Sequence, residues 1–410
     1  MGNFYLTLKE RGFIDQATDP EEMVDLFARQ TVKAYIGFDP TAISLHIGSL
    51  VPIMALAHLQ RHGHVPLALV GGGTALIGDP SGKKEMRPVL TYAEVAGNAE
   101  GLQKQLSRYM VLDGTRGLLL NNLDWLKPLN YIEFLRDIGR HFSVNRMLAA
   151  EAVKQRLETG LSFIEFNYQL LQAYDFLQLY EHQGCLLQMG GSDQWGNIVA
   201  GLELIRRVKG GKVYGLTFPL MVTSTGEKMG KTARGAVWLD GERTSPYDYY
   251  QFWINTSDED VGRFLPLFTF LPLEEIKDLT REGGADLRRA KEVLAFEATR
   301  ITHGEAEAEK AREAARQLFY GRGKDLEGLP TTVIARERFQ APGLEAYLLL
   351  VETGLCGTRG EARRLITQGG VTIQERRVPT FDLPIGERDF QDGQILIRVG
   401  KKKHHRVLLG

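Results

Sequence analysis

Cysteine is almost missing: Cys185 and Cys356 are the two thiols in 410 residues. They stand far apart and lack metal-ligand spacing, so they read as inert buried thiols rather than a disulfide framework or a thiolate metal centre. A reducing cytoplasm fits that usage. No apolar run approaches the roughly 20 residues a membrane helix needs. The opening stretch MGNFYLTLKERGFID carries Lys9, Glu10, Arg11 and Asp15 where a secretion signal would have an apolar core. Long repeats and low-complexity tracts are also missing, which excludes solenoid and fibrous architectures. Net charge is scarce too, at −1. What remains is an ordinary globular balance, 43% hydrophobic and 25% charged, in a chain long enough for two or three domains.

The near-zero net charge conceals an uneven distribution. From Gly357 onward there are 11 Lys and Arg against 6 Asp and Glu, a net of +5, which leaves −6 on the rest. A basic end on an acidic body is expected to face nucleic acid, although a solvated basic tail has the same composition.

Residues 32–222 alternate short apolar runs with helical patterns. VKAYIGF, VPLALVGG and CLLQMGG read as buried strands. Between them the patterns predict helices: one opening near Ser44, one from Thr91 with Glu94 in capping-box register, and others over 131–139, 144–160, 162–184 and 197–208. This order predicts a mostly parallel α/β sheet of Rossmann type, with ligands beyond the carboxyl ends of the strands. After Asp240 the segments SPYDYYQFWIN, DEDVGRFLPLF and GADLRRAKEVLAFEATRITHGEAEAEKAREAARQLFYG are helical. GRGKDLEGLP reads as a linker, followed by two short helices and short strands. The expected division is a catalytic domain over 1–240, an α-helical domain over 241–325, a linker over 326–342 and a small α+β domain over 343–410.

Five stretches carry chemistry. In GFDPTAISLHIGS, Gly37 and Pro40 form a turn and Ser44 is placed to cap a helix. His46 then falls in a first turn, where free backbone N–H groups attract an anion, and Gly48 leaves room for a flat ligand. A capped helix with a surface histidine is the plainer reading of the same residues. In GGGTALIGDPSGKKEMR, three glycines end a strand and permit close approach. Asp79 can hold an amine there, while Lys83, Lys84 and Arg87 bring charge for phosphates; a solvated loop is the plainer reading of the same residues. In SFIEFNYQLLQAYDFLQLYEHQG, Tyr168, Gln172 and Asp175 sit at i, i+4 and i+7 on one face of an otherwise apolar helix. Burying that carboxylate is costly unless it is partnered, so the face serves either a structural network or an amphipathic, amine-bearing ligand. MGGSDQWGN places Asp193 and Gln194 after a strand, suited to ribose hydroxyls or a carboxylate. TSTGEKMGKT flanks Met229 and Gly230 with Lys228 and Lys231, which are either solvated surface or, if the loop closes, able to neutralise a polyphosphate.

Taken in order, these stretches resemble the class I aminoacyl-tRNA synthetases, and within them the bacterial tyrosyl-tRNA synthetase family. GFDPTAISLHIG is similar to the first ATP signature, which usually ends His-Ile-Gly-His, and KMGKT to the second, the Lys-Met-Ser-Lys-Ser loop. GDPSGKK, LQAYDF and GGSDQWGN are more specific still, and the likeness runs the length of the chain. The tryptophan enzymes share the architecture, but the Tyr35–Asp175 pair and the basic tail speak for tyrosine.

The resemblance implies that L-tyrosine and ATP form tyrosyl-adenylate and pyrophosphate, and that the tyrosyl group then passes to the terminal adenosine of a cognate tRNA. It implies a tyrosine pocket of Tyr35, Asp79, Tyr168, Gln172, Asp175 and Gln194. The first and fifth would meet the phenol, and Asp79, Tyr168 and Gln172 the ammonium. It places ATP along Gly37, Asp39, Thr41, His46, Gly48, Ser49, Gly191, Asp193, Gln194 and Lys231. The catalytic residues would be His46 at the α-phosphate and Thr41, Lys83, Arg87, Lys228 and Lys231 at the β and γ phosphates. Mg²⁺ is expected with the pyrophosphate, with no protein-only metal site. In the terminal domain, Arg359, Arg363, Arg364, Lys401, Lys402 and Lys403 would meet RNA phosphates. A homodimer is implied as well. Two departures bear on the ribose: Ser49 stands in the place of the signature's second histidine, and Ile36 where a small or polar residue is common.

Overall fold

The computed structural model describes residues 2–81, 90–158, 160–224, 226, 229–232, 235–281, 285–320, 328–400 and 403–410. The chain divides into two compact units. The first is Met1–Arg243 with Ser257–Ala290, and the second is Thr244–Thr256 with Lys291–Gly410. Among the described residues no helix is long and apolar enough to cross a membrane.

A six-stranded sheet organises the first unit. Its strands are β1 (Gln16–Ala17), β2 (Lys33–Phe38), β3 (Val65–Val70), β4 (Leu118–Asn121), β5 (Cys185–Gly191) and β6 (Tyr214–Phe218). They lie in the order β1-β6-β5-β2-β3-β4. All pairs are parallel except the short edge pair β1–β6. The chain builds β2-β3-β4 outward to one side and then returns to place β5 and β6 on the other. The reversal point is therefore between β2 and β5, and the crevice that such a reversal opens is where ligands bind in this kind of sheet. The inner strands are buried on both faces, as a helix-covered parallel sheet requires, which is why β2 and β3 read as continuous apolar runs rather than alternating ones.

The helix α1 (Leu50–Arg61) buries Leu50 through Leu59 apart from Pro52, so it is covered almost all round. It starts later than the sequence predicts. Ser44 does not cap it, because its Oγ donates to Leu45 O (2.7 Å) and to Gln105 Oε1 (3.3 Å). A 3₁₀ turn at Ile47–Ser49 comes first, and His46 is its cap.

The helix α2 (Tyr92–Leu106) opens on the expected Thr91–Glu94 capping box. The helix α3 (Phe163–Gln183) opens on a second box, Ser162–Glu165, and ends at Gly184 in the left-handed region at φ 65°. The single helix expected over 144–160 is two, Val144–Ala149 and Glu151–Leu157, broken where Ala150 turns extended. Arg156 and Glu165, both nearly fully buried, pair at 2.9 Å across this corner. The helix α4 (Trp195–Lys209) follows β5 directly.

In the second unit, α5 (Pro246–Ile254), α6 (Ala285–His303, entering the unit at Lys291) and α7 (Glu305–Tyr320) precede a five-stranded sheet. The long helical stretch ending in LFYG is broken at Gly304, whose φ of +93° no helix interior accommodates. The sheet takes the order β9-β8-β10-β11-β7. These strands are β7 (Thr331–Ile334), β8 (Val371–Ile373), β9 (Arg376–Arg377), β10 (Gln394–Val399) and β11 (Lys403–Leu409), with α8 (Ala346–Glu352) and α9 (Arg359–Thr367) packed beside them. Strand β7 falls inside the stretch read as linker, yet Thr331–Ile334 pairs parallel with Arg406–Leu409, so the sheet includes it. Residues 321–327, which open the GRGKDLEGLP segment, lie outside the described residues.

Candidate active site

A cavity of about 480 Å³ opens at the carboxyl ends of β2, β3, β5 and β6, at the reversal point. It gathers Tyr35, Gly37, Asp39, Thr41, His46, Gly48 and Ser49 from β2 and the turn that follows. It adds Asp79 after β3, Tyr168, Gln172 and Asp175 from α3, and Gly191, Asp193 and Gln194 after β5. Of the residues singled out in the sequence, Lys83, Lys84, Arg87, Lys228, Lys401 and Lys402 lie outside the described residues. Lys231 is described by its backbone alone, in the two-residue strand Lys231–Thr232.

Two hydrogen-bond chains organise the polar walls. In the first, Tyr168 Oη donates to Asp39 Oδ2 (2.9 Å) and Thr74 Oγ1 donates to Asp39 Oδ1 (2.7 Å). Asn122 Nδ2 then donates to Thr74 Oγ1 (3.0 Å) and to Asp175 Oδ2 (2.9 Å), and Trp125 Nε1 donates to Asp175 Oδ1 (2.7 Å). In the second, Gln194 Nε2 donates to Asp79 Oδ2 (2.7 Å), while Asn197 Nδ2 donates to Gln172 Oε1 (3.0 Å) and Gln194 Oε1 (3.2 Å).

Asn122, Trp125, Thr74 and Asn197 are thus working residues that the sequence reading passed over. Asn122 and Trp125 did leave a signal, because NNLDW directly follows the apolar strand LLL and a strand's carboxyl end is where such groups matter.

Burial sets the electrostatics. Asp175 is 2% exposed, and desolvation pushes its carboxyl up to about 7 in spite of the two donors from Asn122 and Trp125. Tyr35, 1% exposed, is held well above the ordinary phenol range by desolvation and by the neighbouring Asp175 charge. Tyr35 Oη and Gln188 Oε1 are buried and have no hydrogen-bond partner. A buried orphan hydroxyl beside a carboxylate is costly to the fold, which marks it as a place for a ligand group. At the other end, His46 Nδ1 accepts the Gly48 N–H (2.9 Å). The neutral ring therefore carries its proton on Nε2, which makes that nitrogen a donor.

The glycines serve neighbours more than a ligand. A Cβ on Gly48 would sit 2.6–2.8 Å from the His46 ring. One on Gly71 would strike the Asp39 carboxylate, and one on Gly73 would lie 2.8 Å from Leu126. The close approach foreseen for a ligand is filled by the protein's own side chains. Gly230 also belongs to this corner: a Cβ there would lie 3.1 Å from Gly48 N, so the two signature stretches meet backbone to backbone. Val237 N–H donates to Gly230 O (3.1 Å) and Ile47 N–H to Val237 O (2.9 Å), tying both to one strand-like segment.

In the second unit, Arg359, Arg363 and Arg364 stand exposed on α9, with Lys403 at the start of β11. Arg363 is stacked on Tyr347 and Phe381, its guanidinium 4.3 and 5.2 Å from their ring centres, and so does not project freely.

Sheet order and polar crevice together define a class, a Rossmann-type parallel-sheet domain with its site at the reversal point. The chain belongs to the family of class I tRNA synthetases (W and Y), whose model matches residues 28–320. Residues 325–407 match the model of the tyrosine–tRNA ligase SYY-like C-terminal domain. Among curated relatives, a tyrosine–tRNA ligase of Desulfatibacillum aliphaticivorans is 56% identical, over 99% of each chain. One of Acetivibrio thermocellus is 49% identical over the whole of both chains. Among solved structures, a C-terminally truncated mitochondrial tyrosyl-tRNA synthetase of Aspergillus nidulans superposes with a TM-score of 0.71 at 33% identity. That match covers 78% of this chain and 95% of the other.

Proposed function

We propose that the protein is an L-tyrosine-activating enzyme that charges tRNA. A carboxylate oxygen of tyrosine attacks the α-phosphorus of ATP, the bond to the β-phosphate breaks, and pyrophosphate leaves. A ribose hydroxyl of the tRNA's terminal adenosine then attacks the carbonyl carbon, and AMP leaves. The observation that carries the choice of amino acid is the pair Tyr35 and Asp175. The buried Tyr35 Oη lacks a partner, and Asp175 keeps an acceptor face beside it. A phenol satisfies both, and phenylalanine leaves both unpaired. Phenol discrimination by tyrosyl-tRNA synthetase is itself the standard illustration of that rule.

Within this reading, Tyr168, Gln172 and Asp79 face the ammonium. Gly37, Asp39, Gly48, Ser49, Gly191, Asp193 and Gln194 lie along ATP and its ribose, and His46 Nε2–H donates to the α-phosphate as charge builds. Lys83, Arg87, Lys228 and Lys231 neutralise the departing pyrophosphate, and the Thr41 hydroxyl donates to it. No side chain becomes a covalent nucleophile, so rate comes from positioning and charge stabilisation. Mg²⁺ would accompany the nucleotide, bound to its phosphates. The domain roles follow: 1–240 for activation, the helices of 241–325 for the anticodon stem, and the terminal module, with β7 counted in it, for RNA phosphates through Arg359, Arg363, Arg364 and Lys401–Lys403. A homodimer is favoured by exposed apolar side chains concentrated between Tyr131 and Ile164, among them Ile132 (70%) and Phe163 (69%). A cytoplasmic location suits these substrates.

The test is pyrophosphate exchange run side by side with tyrosine, tryptophan and phenylalanine. Exchange that depends on tyrosine alone is expected. Exchange driven by tryptophan would move the chain to the other branch of the family, and none with any amino acid would remove the enzymatic reading.

A further inference from the structure

The turn that delivers His46 holds itself together poorly. Between Pro40 and Leu45 its internal hydrogen bonds are Thr41 N–H to Asp39 O (2.8 Å) and Ser44 Oγ to Leu45 O (2.7 Å), neither of which fixes it against the sheet. Among the described residues, α2 holds its length while the segment at Leu239 holds its end. Asn98, Gly101 and Gln105 lie at i, i+3 and i+7 and share one face of that helix. Asn98 Nδ2 donates to Pro40 O (3.0 Å). At Gly101 the helix comes so near that an added Cβ would run into the Ile43 carbonyl oxygen. Gln105, 4% exposed, accepts on a single Oε1 both the Leu45 N–H (2.9 Å) and the Ser44 hydroxyl (3.3 Å). Leu45 O in turn accepts the Leu239 N–H (2.9 Å), so the residue just before His46 is gripped from both sides.

Resting on the ATP-dependent activity proposed above, we infer that this face of α2 is the positioning element of the nucleotide step, with Gln105 its decisive residue. None of the three lines the cavity. They set the backbone height at which the His46 imidazole meets the α-phosphate. The tyrosine pocket hangs on other supports, namely Asn122, Trp125 and α3, and does not use these contacts. A positioning role therefore separates two quantities that a general loss of structure would move together.

The test uses the full chain in four variants. Gln105→Leu strips the acceptor and leaves the Leu45 N–H buried without a partner. Gln105→Glu keeps an oxygen in its place. Gly101→Ala pushes on Ile43, and Asn98→Ala removes one outer contact. Tyrosine affinity is measured without ATP, and the rate of adenylate formation is followed at saturating tyrosine across ATP concentrations.

Tyrosine affinity stays within about twofold in all four. The adenylate rate falls at least about tenfold in Gln105→Leu and Gly101→Ala, about two- to fivefold in Asn98→Ala, and recovers to within about threefold in Gln105→Glu, on the scale that sub-ångström to ångström misplacement brings. An unchanged rate in Gln105→Leu overturns the assignment, as does a loss of tyrosine affinity equal to the loss of rate. Should Gln105→Leu and Gly101→Ala not fold, Asn98→Ala decides, and an unchanged rate there overturns it too. Failure of the unmodified chain to exchange pyrophosphate would instead strike the activity itself, an outcome these variants cannot mimic.

Discussion

The pocket of the first unit and the core of the terminal module solve opposite problems. Around the module's sheet, Leu349, Leu350, Val371, Ile395, Ile397 and Val407 are fully buried and apolar, with the arginines of α9 left outside. Around the pocket, Tyr35, Asp79, Asn122, Asp175 and Gln188 are buried as deeply but are polar, and two of their atoms have no partner. The first arrangement is what area burial favours. The second costs the fold and is explained by what it is waiting to bind. The comparison teaches that burial alone does not tell core from site; what marks the pocket is that Tyr35 and Gln188 are unpartnered and line one cavity with buried carboxylates.

The strongest way to break this contrast is Asp175→Ala. Removing a charge-bearing acceptor should weaken tyrosine binding by at least about 100-fold, near 3 kcal/mol. The thermal transition should move little, because an unfavourable buried carboxyl goes with it. Equilibrium dialysis beside a melting curve reads both, and undiminished affinity would remove Asp175 from the pocket. The converse substitution is Leu350→Ala in the module. A cavity there should cost about 2–5 kcal/mol of the module's stability while tyrosine-dependent exchange continues unchanged. Hydrogen exchange in β8 and β10 together with the pyrophosphate assay would check it, and a parallel fall in exchange activity would show that the two cores are coupled.

Acidity offers a finer probe. The folded Asp175 carboxyl sits near 7, above the unfolded value of 3.8, so the folded state binds the extra proton in that window. The sign follows from linkage: this group favours the ligand-free fold below about 4, and the benefit is lost as pH rises through about 7. Tyrosine binding has the opposite dependence, since the phenol donates to the ionised form. Affinity should fall roughly tenfold from pH 8 to pH 6, and Asp175→Asn should flatten the curve. A titration by fluorescence or calorimetry settles it, and an equal slope in both proteins would assign the effect to another group. The smallest effect is expected for Arg363→Ala. Losing its stacking on Tyr347 and Phe381 should cost about 0.5–1 kcal/mol. If Arg363 also meets a phosphate, the salt slope of tRNA binding should drop by about 1. An unchanged slope would leave the residue a purely structural cation.

Much of the fold was legible because it rests on short-range rules. The Thr91–Glu94 box, the apolar runs of β2, β3 and β5, and the Tyr168–Gln172–Asp175 face all declare themselves within a few residues, and the structure has each of them. The failures are places where a distant group took over a local one. Ser44 has the right chemistry for a helix cap, but its hydroxyl turns to the Leu45 carbonyl and to Gln105 on α2. The glycines after β3 have room for a ligand until Asp39, Asn121 and Leu126 fill it. Strand β7 looked like linker because its partner lies some seventy residues onward, Arg406 opposite Thr331.

By itself the sequence determined the alternation of strands and helices, the residue types of the phosphate and phenol chemistry, and the family those motifs resemble. All of these depend on spacing along the chain. Only the tertiary structure decided which donors hold Asp175, which helix steadies the turn before His46, and where the terminal sheet begins. Those outcomes depend on groups far apart in sequence competing for the same hydrogen bonds and the same small volumes. No local pattern records which of them wins.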